Sequence, residues 1–86
     1  MMADKQTVLR LLKTARGQLD GIIKMVEDDR YCMDISQQVL AADAMLRRVN
    51  KEILSAHLKH CVEHAKTDQE RSDKIDELVN ALGKML

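Results

Sequence analysis

YCMDISQQVLAADAMLRRVNKEILSAHLKHCVEHAK, residues 31–66, is the stretch on which the fold turns. It holds no Pro and no Gly, the two residues least at home in a helix interior. Cys32, Ile35, Val39, Ala42, Leu46, Val49, Ile53, Ala56 and His60 recur at alternating spacings of 3 and 4 without a slip. That is the pattern of a helix packed along another helix. Leu40, Ala44, Leu54, Leu58, Cys61 and Ala65 form a second apolar set beside the first. One stripe serves a hairpin within the chain. The other needs a further partner, and two apolar faces on one helix point to a homo-oligomer.

Upstream, Val8, Leu12, Ala15, Leu19, Ile22 and Val26 are spaced 4-3-4-3-4 and predict a first helix from about Thr7 to Asp28. Gly17 and Gly21 lie inside it, and each costs about 1 kcal/mol relative to Ala. Either another backbone approaches closely there, or the helix simply tolerates them. Asp28, Asp29 and Arg30 make the polar break, with Asp28 or Asp29 placed to cap the second helix. Downstream, Thr67, Asp68, Gln69 and Glu70 read as a capping box. It opens a third helix from Asp68 to Leu82 with Ile75, Leu78, Val79 and Leu82 on its apolar face and Gly83 as its C-cap. The expected fold is all-α: a long antiparallel hairpin plus a short third helix, one domain over residues 1–86. Assembly as an antiparallel dimer and then a dimer of dimers is expected.

Composition agrees. There is no Pro, Phe or Trp, one Tyr and three Gly in 86 residues, which leaves an all-β chain without its usual residues. Fourteen basic side chains balance fourteen acidic ones. The balance is uneven along the chain: residues 47–66 are basic, with Arg47, Arg48, Lys51, Lys59 and Lys66, and residues 67–86 are acidic. A neutral chain can therefore still present a basic face. No signal peptide is visible, and no apolar run approaches the ~18 residues of a membrane span. The cytoplasm is the expected location. There two cysteines suggest metal binding or thiol chemistry more than a disulfide. No Gly-rich phosphate loop, catalytic acid/base pair or HExxH motif points to an enzyme.

His57 and Cys61 stand four residues apart, on one helical face. Imidazole plus thiolate is a soft donor pair that suits Cu(I) or Zn(II). Cys32 is the third candidate ligand, but it precedes His57 by 25 residues on the same helix. At 1.5 Å per residue that is roughly 37 Å, too far for one ion. Antiparallel pairing of two such helices brings Cys32 of one protomer to His57 and Cys61 of the other, with the crossing near Ala44–Leu46. Two identical sites per dimer follow from the two-fold axis. Two thiolates and one imidazole favour Cu(I), since structural zinc takes four ligands. Beside this stands a plainer reading of Cys32 as a small buried apolar residue. His60 and His64 form a second pair of the same spacing, read as a core-edge residue and a surface residue.

The stretches RGQLDGIIKMVEDDRYC (16–32) and HLKHCV (57–62) resemble the copper-sensitive operon repressor family. The likeness spans residues 8–66 and extends weakly into the third helix. It implies helical dimers that pair into tetramers and bind double-stranded operator DNA without a helix-turn-helix. It implies Cu(I) held across the dimer interface, with Cys32, His57 and Cys61 at the ligand positions. Tyr31 and Glu77 fall where relatives carry an outer shell around the ligands. Metal binding then weakens DNA affinity and derepresses export or resistance genes. Nickel-sensing relatives resemble a set with His where Cys61 stands and an added N-terminal His. Formaldehyde sensors lack the second Cys and use an N-terminal Pro. Persulfide sensors keep both Cys and usually lack the His. Asp20 departs from the family, which often has a basic residue there.

Arg10, Lys13 and Arg16 recur along one side of the first helix. If the hairpin turns at Asp28–Arg30, this cluster nears Arg47, Arg48 and Lys51, and the two merge into one phosphate-binding patch. The alternative is a solvated face of local ion pairs. Two further readings of the whole chain stand beside the copper repressor: a thiol- or persulfide-sensing repressor of the same fold, and a helical interaction module without metal function.

Overall fold

A computed structural model describes residues 1–85. Three helices follow in order, α1 (Lys5–Glu27), α2 (Cys32–His64) and α3 (Asp68–Gly83), with no strand among the described residues. α1 starts two residues before its expected first residue because Asp4 caps it, its carboxylate accepting from the Thr7 amide at 3.0 Å. That contact also holds the Asp4 carboxyl below its ordinary pKa: first the Thr7 hydroxyl, then the Thr7 amide donates to the charged form.

The turn between α1 and α2 differs from expectation. Asp28 and Asp29 end α1 rather than cap α2. The Arg30 amide donates to the Met25 carbonyl at 3.0 Å and the Asp29 amide to that of Val26 at 3.1 Å. This is a Schellman closure, with Asp29 at φ 53° in the left-handed region it requires. α2 instead begins after Tyr31, whose side chain makes no capping bond.

α1 and α2 pack as an antiparallel hairpin. Its core is Val8 and Leu11 against Val49, with Ala3, Met45 and Ile53 at the edge, and Ala15 and Ala42 buried nearer the turn. Val8 and Ala15 are buried and Ile22 half-buried, as the spacing implies, but the intervening position is Leu11, 1 % exposed, and not Leu12, 40 % exposed. On α2, Met45 takes the inward place expected of Leu46, which is exposed along with Val39. Leu11 and Leu12 differ by 100° around the helix, so one of them must face away. Leu12, Leu19, Ile23 and Val26 make up the stripe left open.

α3 opens as the capping box predicts: the Thr67 hydroxyl accepts from the Glu70 amide at 3.0 Å, and the Glu70 carboxylate accepts from the Lys66 amide at 3.1 Å. Gly83 is the last helical residue rather than a left-handed cap. Side chains added at Gly17 or Gly21 would meet nothing within 4 Å, so neither glycine serves a close approach inside the protomer. The molecule measures 57 × 26 × 12 Å, one helix layer thick. Its radius of gyration is 17.2 Å, against about 12 Å for a compact domain of this length. A single layer has two outer faces and little interior, so most apolar side chains remain open to a partner.

Candidate metal centre

α2 supplies both ends of the site. Cys32 is its first residue, and His57 and Cys61 lie in its last two turns. At 100° per residue, Cys32, Val39, Leu46, His57 and Cys61 fall within a sector of about 60°. α2 runs without interruption from Cys32 to His64, so the two ends of that sector are held apart rigidly.

At the C-terminal end, His57 Nε2 and Cys61 Sγ are 3.6 Å apart. That is less than the sum of one metal–nitrogen and one metal–sulfur bond, about 4.3 Å, so one ion can touch both. Cys61 is half-buried and unpaired in any disulfide, while Cys32 is exposed and also a free thiol. Glu77, from α3, reaches within 3.9 Å of His57 Nε2 and pairs on its other oxygen with Lys74 at 3.5 Å. Of the five residues expected at the centre, one protomer thus brings three together: His57, Cys61 and Glu77. Tyr31 and Cys32 lie at the opposite end of α2. Among the described residues no three His, Cys, Asp or Glu side chains of one protomer form a ligand cluster. A set of Cys32, His57 and Cys61 cannot close around one ion within a single chain, because the length of α2 separates Cys32 from the other two.

The basic residues divide. Arg10 and Lys13 border a shallow depression on α1 with Gln6, Leu9 and Thr14. Arg47, Arg48 and Lys51 border a different groove of about 960 Å³ between α2 and α3, floored by Leu54, Leu58, Leu78 and Leu82. The two clusters therefore do not share a groove within one protomer, because Arg47 and Lys51 lie on the side of α2 that carries α3. Lys59, of the same basic segment, also borders this groove. It follows Arg48 by eleven residues, close to three full turns. Arg47 is already engaged, with Asp43 at 2.9 Å and the Met85 carbonyl at 3.0 Å.

Residues 4–84 match the metal-sensitive transcriptional repressor family. The chain belongs to that family. Membership makes it a transcriptional repressor rather than an enzyme. A copper-sensing transcriptional repressor of Mycobacterium ulcerans, CsoR, is 45 % identical over 78 residues, covering 91 % of this chain and 67 % of the relative. The Cu(I)-bound structure of the copper-sensing repressor CsoR from Geobacillus thermodenitrificans superposes with a TM-score of 0.78 at 37 % identity, covering 92 % of this chain and 82 % of that one. The nickel-responsive regulator InrS superposes as well, with a TM-score of 0.81 at 28 % identity over 100 % of this chain and 97 % of that one. A nickel-responsive regulator and a copper-sensing repressor thus share this fold. No helix of the described residues is long and apolar enough to cross a membrane.

Proposed function

We propose that this family member is a cytoplasmic Cu(I)-responsive repressor. In the apo form it binds double-stranded operator DNA. On Cu(I) binding it is released and copper-resistance genes are derepressed. One observation carries the reading: His57 and Cys61 present nitrogen and sulfur donors 3.6 Å apart on the same face of α2 that begins with Cys32. Two thiolates and one imidazole make a soft set with low coordination number, which suits Cu(I). The copper-sensing relatives support the same choice.

In this reading residues 1–86 form one metal-sensing, DNA-binding domain, and the site exists only in a dimer. Two antiparallel α2 helices join Cys32 of each protomer to His57 and Cys61 of the other. The exposed stripe of Val39 and Leu46 fits that contact, along with Leu12, Leu19 and Val26 of α1. The apolar groove between α2 and α3 offers a second, separate face, as a dimer of dimers needs. Arg10, Lys13 and Arg16 on α1, together with Arg48 and Lys51 on the rim of that groove, are the candidate phosphate contacts. Tyr31 and Glu77 act around the ligands. Glu77 stands 3.9 Å from His57 Nε2, so ligation of His57 would bear on the seat of α3. Any ion can move the protein only through a difference in affinity between two shapes.

The test is a Cu(I) titration of an operator complex together with X-ray absorption of the loaded protein. One ion per chain with two sulfur and one nitrogen donor, and at least a tenfold loss of DNA affinity, is the expected result. A DNA affinity unmoved by full loading would overturn the switch.

A further inference from the structure

α3 is the loosely held element of the protomer. It packs on α2 alone and has no fully buried residue. Leu78, Ala81 and Met85 are half-buried, and the remaining hold is polar. Glu77, in its middle, stands 3.9 Å from His57 Nε2, and one side chain fastens its far end. That side chain is Arg47. Its Nε lies 2.9 Å from the Asp43 carboxylate, one turn back on α2, and its Nη1 donates to the Met85 carbonyl at 3.0 Å across 38 residues of sequence. Asp43 orients the guanidinium, and the guanidinium satisfies a carbonyl just past the negative end of the α3 dipole. The fork geometry is particular to Arg, because a lysine ammonium cannot offer two fixed donors in one plane.

We propose that Arg47 is a positioning residue for the metal switch and not a phosphate contact: it seats the C-terminal end of α3 on α2 and thereby keeps Glu77 at His57. The link to switching rests on the Cu(I)-repressor reading. The seating itself does not.

The experiment uses the full chain with Arg47→Ala, Arg47→Lys and, for comparison, Arg48→Ala. Hydrogen exchange of the α3 amides is measured first, without metal or DNA. Arg47→Ala speeds it about two- to five-fold, the range of an exposed ion pair, while exchange in the hairpin stays native. Arg47→Lys restores less than half of the protection, and Arg48→Ala leaves α3 as it was. Operator affinity is then followed against salt. Arg47→Ala keeps the native slope, whereas Arg48→Ala flattens it by about one unit for each protomer on the DNA. The ratio of operator affinities without and with Cu(I) falls at least three-fold in Arg47→Ala. Native α3 exchange in Arg47→Ala overturns the proposal. So does an unchanged affinity ratio, or a flattened salt slope that Arg47→Lys restores. If the native protein binds neither operator nor Cu(I), the repressor reading fails, and α3 exchange alone decides the role of Arg47.

Discussion

Mixing two inactive variants separates a shared metal site from one built within a chain. Cys32→Ser removes one thiolate, and Cys61→Ser removes the other. Each homodimer then lacks a ligand at both of its sites. A heterodimer of the two has one site with Cys32 from the Cys61→Ser chain and His57 and Cys61 from the Cys32→Ser chain. That site is complete, and its twin lacks both thiolates. Random reassortment makes about half of the dimers mixed, so tight binding returns to about one quarter of the native ion count per chain. A site within one chain predicts none, since no chain in the mixture carries both thiolates. The assay is competition against a strong Cu(I) chelator after the two tagged variants are unfolded and refolded together, with heterodimers counted by native mass spectrometry. No recovered binding despite a proven heterodimer population would refute the shared site. Full native affinity of Cys32→Ser alone would refute it from the other direction.

Three further outcomes follow from the fold. Leu11→Ala, at the one large side chain fully buried among the described residues, destabilises by about 2–5 kcal/mol in urea unfolding; a loss below about 1 kcal/mol would mean that Leu11 is not the centre of the core. Asp29→Gly relieves the left-handed backbone at φ 53° and stabilises by about 0.5–1 kcal/mol, and an unmoved midpoint would count against the Schellman turn. The cap at Asp4 gives a pH effect of known sign. Its folded pKa is depressed from an ordinary value of 3.8, so its contribution is present above that value and lost as pH falls through the lower folded pKa. The Thr7 amide should therefore exchange relatively faster in acid, and Asp4→Asn, which keeps the cap without a titrating group, should abolish the change; persistence of the change in Asp4→Asn would assign it elsewhere.

Local features were legible in the sequence because they depend on neighbours within one or two turns. The capping box at Thr67 is one, and the facing of His57 and Cys61 is another. Asp4 caps α1 by the same chemistry, but it precedes the start of the apolar pattern at Val8. Asp28 and Asp29 are ambiguous for a related reason: a short polar break can close the helix before it or open the helix after it. The backbone angle at Asp29 decides between the two. Glu77 entered as a candidate through family resemblance alone. Nothing in its spacing relates it to His57, 20 residues earlier across a turn.

By itself the sequence determined three helices, their lengths to within a few residues, the facing of His57 and Cys61, and the distance along one helix that keeps Cys32 of the same chain away from them. Each of these follows from the periodicity and rise of an α-helix. Tertiary structure alone decided that Leu11 and not Leu12 faces α2, that Arg47 turns to Met85, and that Glu77 meets His57. These depend on the rotation and crossing of packed helices, which adjacent apolar stripes of equal spacing leave open. The same choice sharpened the site. By turning Leu12, Leu19, Val39 and Leu46 outward, the hairpin leaves exposed apolar side chains between Cys32 and His57, where the proposed antiparallel partner would pack.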